Sequence, residues 1–337
     1  MGVKFLVRQG QLEDKLKEWS NLQKPYMKID AIESYSKYKV YAVTFTDFSV
    51  SDEHKKTLYI SQPHAHEPAT TAGMINVMEQ LITGKDLMGK DTPLDIEKVV
   101  SNLIITFNPI GNPYGTERAP VQYWDGSKYT NEEFWRIMFG EDPEHPGQVW
   151  KRLGLWDIRE EKAPDPIGIV YEPIDEYRYV EPNRSQQSSY FKLFHKMNAV
   201  YAYTYWLELH QTEFVHSEYN CMILLPPAGN APEPIEKENT IWAGSTNKAW
   251  LERGFKACEP RPSGYTGQQA QYFRENYSAI NQKTSRITTE VKNNAQDFPA
   301  EMQLKANTEA IIASINYLLN PQGDSSQPKA KSPENTL

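Results

Sequence analysis

The chain has 337 residues, and its 36 basic and 44 acidic side chains give a formal charge of −8. Nucleic-acid binding requires a basic surface, so this class of function is not expected. The chain has only two cysteines, Cys221 and Cys258, which excludes a disulfide framework and a CxxC metal knuckle. We see neither a signal peptide nor a membrane-spanning segment, and we therefore expect a cytoplasmic protein without a membrane partner.

Apolar patterns alternate between strand and helix periods along most of the chain. They predict strands over 38–47 and 56–62, and then a helix over 68–83 that begins at Pro68. A β-rich run over 101–109 is stopped by Pro and Gly. Residues 112–180 are rich in Pro, Gly and Trp and predict a long irregular excursion over the surface.

The second half of the chain continues the alternation. A helix-like run over 190–205 leads into the strand pattern "WLELHQTEF", and a final amphipathic helix is predicted over 299–320. Short strands are predicted over 220–227 and 285–291. We therefore expect a single α/β domain over 1–320, with a mixed central β-sheet flanked by helices on both faces. Residues 321–337 are polar and Pro-rich, and they predict a disordered C-terminal tail.

The stretch "SQPHAHEPATTAGM" (61–74) places His64 and Glu67 on a loop between a predicted strand and a helix. In open α/β sheets, ligands bind at the carboxyl ends of the strands. An imidazole nitrogen and a carboxylate oxygen are both zinc ligands. An isolated HxxE pattern is more often a solvated loop, so a third ligand is needed to support a metal site.

Two later residues complete this pattern. His210 ends the strand pattern "YWLELH", so it can reach the same edge of the sheet as His64. Glu290 lies in the β-branched run "SRITTEV". A buried carboxyl group there would have a raised pKa, as a general base requires.

In this order, the motifs resemble those of the funnelin zinc carboxypeptidases. "HAHEP" is similar to that family's "HAREP", and "FNPIGNPYG" resembles "NPDG" with Ile110 in place of Asp. "VEPNRS" resembles "VDxNRN", "ELHQ" resembles "DLHS", and "TTEV" resembles "TFEL". The resemblance extends over about residues 38–319.

The resemblance implies a role for each matched residue. His64, Glu67 and His210 would hold one zinc ion per chain, with a water molecule in the fourth position. Glu290 would act as the general base toward this metal-activated water. Asn183 and Arg184 would bind the terminal carboxylate of the substrate.

Three further assignments stay open. The resemblance implies an arginine that stabilises the oxyanion, and we favour Arg118 over Arg136. It also implies a mobile tyrosine that caps the substrate, for which Tyr265 in "SGYTG" fits better than its rivals Tyr272 and Tyr277. We interpret His66 as a neighbour of the metal site or a surface residue rather than a ligand.

The function implied is that of a zinc-dependent hydrolase, a metallocarboxypeptidase that cleaves a C-terminal peptide bond. Its partner would be a peptide or N-acyl amino acid substrate with a free carboxylate. The short spacing from Arg184 to His210 and the long segment before Arg184 leave an alternative open. That alternative is a small-molecule amidase or deacylase acting on N-acyl or γ-glutamyl amino acids. A non-catalytic binding protein is the third class.

Overall fold

The computed structural model describes residues 4–214 and 217–320. The α-helices of these ranges are α1 (Gln9–Asn21), α2 (Pro68–Thr83), α3 (Ile96–Asn102), α4 (Pro113–Arg118), α5 (Asn131–Phe139), α6 (Ser189–Tyr201), α7 (Glu233–Glu252), α8 (Gly267–Asn281) and α9 (Ala300–Leu319). The strands of the same ranges are β1 (Met27–Glu33), β2 (Lys39–Phe45), β3 (Lys56–Ser61), β4 (Leu103–Asn108), β5 (Leu155–Asp157), β6 (Glu172–Pro173), β7 (Arg178–Val180), β8 (Tyr205–Thr212), β9 (Cys221–Leu225), β10 (Arg261–Pro262) and β11 (Ser285–Lys292).

Within the described ranges, eight strands form one mixed sheet in the order β1-β2-β4-β3-β8-β11-β9-β10. The centre of the sheet is parallel, since β3 pairs in parallel with both β4 and β8, and β8 pairs in parallel with β11. β1, β2 and β9 pair in antiparallel fashion with their neighbours nearer the centre. The sheet is therefore mixed, as the sequence predicts.

Helices cover both faces of this sheet. α1, α2, α7 and α9 pack on one face around side chains such as Leu207 and Leu209 of β8. α6 and α8 pack on the other face, around Tyr59 and Trp206. The central strands are buried on both sides, which is why their sequences are almost continuously apolar. The predicted α/β class with helices on both faces is confirmed.

The segment 112–180 is more ordered than we predicted. It contains α4 and α5, and its short strands form a second sheet in the order β5-β7-β6. Aromatic side chains of this segment pack into a hydrophobic cluster of their own, which includes Trp124, Trp150, Trp156 and Tyr171. The sequence does not indicate this core, because strands of only two or three residues are too short to show an apolar pattern.

Other parts of the prediction need smaller corrections. α1, β1, α7 and α8 were not predicted, and the run 101–109 begins with the last turn of α3 before β4 starts at Leu103. The predicted tail 321–337 lies outside the described residues, so the boundary at 320 stays a prediction. Across the ranges that the structure describes, we find no helix with the length and apolar character that crossing a membrane requires.

Candidate active site

Three of the predicted site residues lie at the carboxyl ends of neighbouring parallel strands. His64 lies three residues after β3 ends at Ser61, and His210 lies near the end of β8. Glu290 of β11 is directly paired with His210. Because parallel strands end at the same edge of a sheet, the fold brings these side chains into one cavity.

The loop that carries His64 and Glu67 is tightly constrained. Glu67 immediately precedes α2, and Pro68 occupies the first turn, where its missing N–H costs no hydrogen bond. The Gln211 side chain accepts a hydrogen bond of 2.8 Å from the Ala69 backbone N–H. A Cβ atom on Gly111 would lie 2.4 Å from the Gln62 carbonyl oxygen, so only glycine allows the neighbouring loop to approach this closely.

His64 and His210 direct the same ring atom at the Glu67 carboxylate. The His64 Nδ1 atom lies 3.0 Å from Glu67 Oε1, and the His210 Nδ1 atom lies 3.2 Å from Glu67 Oε2. Ligand atoms about 2.0–2.1 Å from a tetrahedral zinc ion are roughly 3.3 Å apart. Both distances to the Glu67 carboxylate are therefore compatible with ligands of one zinc ion.

The second ring nitrogen of each histidine faces an acceptor. His64 Nε2 lies 3.0 Å from Asn183 Oδ1 and 3.3 Å from Glu181 Oε1. His210 Nε2 lies 3.8 Å from Glu208 Oε1. Metal-binding histidines typically donate their other N–H to a carboxylate or carbonyl group, which fixes the tautomer. With the proton on Nε2, each Nδ1 atom can act as a metal ligand, and a donor set of two imidazoles and a carboxylate fits zinc.

His66 is closer to the site than the sequence suggested. Ligand atoms of His64, His66 and Glu67 all lie within 4.8 Å of one another, so these three residues also form a group that can bind a metal ion. The His66 ring stacks on His64 with 5.0 Å between ring centroids. Its buried Nδ1 atom has no hydrogen-bond partner among the described residues. His66 is therefore a fourth candidate ligand beside His210.

Glu67, His64 and His210 strongly affect one another's pKa values. Burial opposes the charged form of Glu67, but His210 and His64 hold its pKa well below the usual value. Burial likewise opposes protonation of His210, yet Glu67 and Glu208 raise its pKa well above the ordinary value. The Glu67 carboxylate is therefore ionised, and both imidazole rings lie against its negative charge. A metal ion that binds there must displace protons from the imidazoles.

Glu290 is half-buried and lines the same cavity. Removal from bulk water raises the pKa of its carboxyl group to about 8, although the nearby His210 opposes this shift. A carboxyl group with a pKa near neutrality can both accept and return a proton. The position and environment of Glu290 suit a general base.

Arg184 lies in the cavity wall and is only 6 % exposed. Its guanidinium group lies over the Phe273 ring at 4.5 Å, and its Nη2 atom lies 3.6 Å from Glu181 Oε1. The buried Nε atom has no hydrogen-bond partner among the described residues. An unsatisfied buried donor of this kind gains from binding an anion.

The three candidate capping tyrosines have different environments. Tyr265 is half-buried in the cavity wall and stacks on Phe273, with 4.5 Å between ring centroids. Tyr277 is buried and donates a hydrogen bond of 2.5 Å to Glu208. The Tyr272 hydroxyl accepts a hydrogen bond from Gln268, and its ring packs near Gly154. Of the three, Tyr265 alone lines the cavity.

Neither candidate oxyanion arginine reaches this cavity. The Arg118 guanidinium donates to the Ile167 carbonyl oxygen and lies over the Tyr114 ring at 4.6 Å. Arg118 and Arg136 both line a separate groove on the outside of the 112–180 segment. Sequence order suggested Arg118, but the packing of this segment directs its side chain away from the cavity.

The cavity has a volume of about 170 Å³ and contains charged residues that motif matching did not single out. Lys151 and the half-buried Glu213 are two of them, and Glu213 accepts a hydrogen bond of 2.6 Å from Trp135 Nε1. Arg286 of β11 is the third. The strand period offers a signal for Arg286, because it lies four residues before Glu290 on the same face of the strand.

Comparisons with known proteins reveal similarity in structure but not in sequence. No protein-family model matches the chain, and no curated protein sequence matches it. A metallocarboxypeptidase from Burkholderia cenocepacia is 14 % identical with a TM-score of 0.56, and the match covers 92 % of this chain and 69 % of that one. Carboxypeptidase A from Helicoverpa armigera is 11 % identical with a TM-score of 0.58, and the match covers 95 % and 76 %.

A third solved structure is a metallocarboxypeptidase from Pseudomonas aeruginosa in complex with (2-guanidinoethylmercapto)succinic acid. It is 11 % identical with a TM-score of 0.53, and the match covers 92 % of this chain and 69 % of that one. These likenesses define the class of fold. The chain has the fold of the metallocarboxypeptidases, which confirms the predicted resemblance at the level of structure.

Proposed function

We propose that this chain is a zinc-dependent carboxypeptidase that hydrolyses the C-terminal peptide bond of its substrate. The main support for the proposal is that His64 and His210 both contact the Glu67 carboxylate, with Glu290 paired beside His210. Arg184, a buried anion-binding group, lines the same cavity. A metal site, a base and a carboxylate anchor are the groups that this reaction requires.

His64, Glu67 and His210 would hold the zinc ion. When bound, zinc supplies a Lewis acid that polarises a carbonyl group and lowers the pKa of a water molecule to about 7. Glu181 and Glu208 keep the two imidazoles oriented through their Nε2 atoms. These carboxylates therefore set the geometry of the ligands without touching the substrate.

Glu290 would take the proton from the attacking water and return it to the leaving amine. Its half-buried position keeps the carboxyl group close to the reacting atoms while limiting its hydration. The pKa of about 8 places the proton near balance at neutral pH before zinc is bound. The positive charge of a bound zinc ion would favour the ionised form, which is the form that accepts a proton.

Arg184 would bind the terminal carboxylate, with Asn183 and Tyr265 beside it. The Arg184 guanidinium is held against Phe273, so it is preorganised and loses little freedom when the substrate binds. Asn183 connects this anchor to the metal site, because its Oδ1 atom lies 3.0 Å from His64 Nε2. Arg118 has no role in this proposal, since its side chain lies outside the cavity.

The second candidate function is that of an amidase or deacylase acting on N-acyl or γ-glutamyl amino acids. Its support is the small cavity, of about 170 Å³, whose wall includes Met138, Phe139 and Lys151 from the 112–180 segment. Pockets for drug-sized ligands are usually about 300–1,000 Å³. A short acylated amino acid therefore fits this enclosure more readily than a long peptide.

Substitution of Glu290 by Gln tests the proposed function. The variant should keep its fold and its zinc while turnover falls by about 10²–10⁴-fold, because only the proton-accepting ability is removed. Glu132→Gln, at an exposed position on α5, is the matched control and should retain full activity. A Glu290→Gln variant as active as the parent would rule out this base.

A screen of substrates separates the two candidate functions. Peptides, γ-glutamyl amides and N-acyl amino acids should be offered to the zinc-loaded protein, and the released amino acid should be measured. Release from peptides of several residues favours the carboxypeptidase. Release from short acylated amino acids alone favours the amidase.

A further inference from the structure

The inner end of the cavity has a chemical character that the proposed catalytic roles do not use. Arg286, Thr288 and Glu290 alternate along β11, so their side chains share one face of the strand and all three line the cavity. We infer that Arg286 binds an acidic side chain on the terminal residue of the substrate. This inference rests on the proposed function and specifies the substrate class of that site.

Arg286 is held in place from several sides. Its Nη1 atom donates hydrogen bonds of 2.9 Å to Glu208 Oε2 and 3.1 Å to Thr288 Oγ1. Its Nε atom donates to Asn281 Oδ1 at 3.3 Å, and the guanidinium lies over the Tyr277 ring at 4.2 Å. The hydrogen bonds of Arg286 to the described residues use Nε and Nη1, so the Nη2 donors are available to a ligand.

Glu208 does not occupy the Nη2 donors of Arg286. Its Oε1 atom accepts hydrogen bonds from the hydroxyl groups of Tyr190 at 2.9 Å and Tyr277 at 2.5 Å. Its Oε2 atom accepts from Arg286, and His210 lies 3.8 Å from Oε1. Both carboxylate oxygens are therefore engaged with donors of the protein. Among the described residues at this end of the cavity, Arg286 keeps unused donors, while both oxygens of Glu208 already accept hydrogen bonds.

The free Nη2 donors of Arg286 discriminate between classes of side chain on the terminal residue of the substrate. A carboxylate pairs with the free Nη2 donors of Arg286, and a carboxamide oxygen does so more weakly. An apolar side chain leaves these donors unpaired and desolvated. An ammonium group faces donors at this position and finds no acceptor in Glu208, whose oxygens already accept hydrogen bonds and which pairs with Arg286 at 2.9 Å. We therefore rank the terminal residues acidic first, amide second, and apolar or basic last.

The depth of the cavity favours a short acidic side chain. Thr288 lies two residues before Glu290, about 7 Å along the strand. The Arg286 guanidinium reaches back to the level of Thr288, as its contact with that hydroxyl shows. An acidic group is therefore expected about 7 Å inward from the reacting bond. Aspartate and glutamate suit this distance and the volume of about 170 Å³.

Binding of free amino acids to the zinc-loaded full chain tests this inference without requiring catalysis. L-glutamate, L-aspartate, L-glutamine, L-leucine and L-lysine should each be titrated by calorimetry. The acidic amino acids should bind at least about 30-fold more tightly than leucine or lysine, as expected for a charged hydrogen bond in a desolvated pocket. Leucine or lysine binding as tightly as glutamate would overturn the inference.

The Arg286→Met variant then tests whether Arg286 causes the preference for acidic amino acids. The variant should lose the advantage of glutamate over leucine, while Arg253→Met, which removes a surface partner of Glu309, should keep it. An Arg286→Met variant that folds, holds zinc and still prefers glutamate about 30-fold would also overturn the inference. If the variant does not fold, because Glu208 is left unpaired, the parent titrations decide the question alone.

The same experiments separate this inference from the proposed function. Selective binding of glutamate without hydrolysis of any peptide or acyl amino acid would contradict the proposed function and leave the Arg286 site intact. Hydrolysis that favours apolar terminal residues would contradict the Arg286 site and leave the proposed function intact.

Discussion

Arg184→Met tests how the substrate is anchored. The parent guanidinium is 6 % exposed and held over Phe273, and its Nε donor has no partner among the described residues. Methionine keeps most of the apolar volume against Phe273 and removes only the charge and its donors. The substitution therefore isolates the interaction with the terminal carboxylate.

The magnitude follows from the burial of this group. Loss of one partner of a desolvated charge pair costs about 2–5 kcal/mol. This range corresponds to a decrease in kcat/KM of about 30- to 4,000-fold. The lower part of the range is expected, because Glu181 lies 3.6 Å from the guanidinium and already compensates part of its charge.

The assay combines the variant with amidated substrates. Amidation of the substrate carboxylate should lower kcat/KM in the parent as much as Arg184→Met does with the free acid. The two changes together should cost little more than either one, because both remove the same interaction. Arg178→Met, which removes the partner of Asp175 outside the cavity, is the matched control. Equal hydrolysis of free and amidated substrates by the parent would refute the role of Arg184.

Three further predictions concern the metal site, its pH dependence and the tail. His210→Ala should lose most of the bound zinc in elemental analysis, whereas His66→Ala should keep it; the opposite result would make His66 the third ligand. The raised pKa of Glu290 means that the metal-free native state binds more protons than the unfolded state, so stability falls as the pH rises from about 4.5 to about 8. Glu290→Gln should flatten this loss in thermal unfolding of the metal-free protein, and an unchanged slope would contradict the assigned pKa. Truncation after Asn320 should change Tm by no more than about two degrees, and a larger loss would mean that the tail packs on the domain.

The sequence predicts the centre of the fold better than its periphery. β3 is buried along almost its whole length, and β8 and β11 each alternate around one apolar face, so their patterns stand out. The helices that begin at Pro68 and near residue 299 carry clear periods. α7 and α8 were not predicted because their buried faces mix amide and aromatic side chains, such as Asn239 and Trp242 of α7 and Asn276 and Tyr277 of α8. Neither helix has a regular apolar stripe. The short strands of the 112–180 segment are too brief to show a period.

In the site as well, residues that belong to a local motif were predictable, and residues whose position depends on long-range packing were not. His64, Glu67, His210 and Glu290 were predicted from motif order, because the first two follow β3 and the last two lie near the ends of β8 and β11. The position of Arg118 was not predictable, since its direction depends on how the 112–180 segment packs. The arrangement of His66 depends on ring stacking against His64, and spacing alone does not encode this contact.

In the proposed function, a zinc ion and Glu290 cleave the last peptide bond of a substrate with a free C-terminus. Mass spectrometry of an unblocked peptide incubated with the zinc-loaded protein tests this most directly. We expect a product shortened by one C-terminal residue, absent after zinc removal and nearly absent with Glu290→Gln. Cleavage at internal bonds, or the same product from the zinc-free protein, would contradict it.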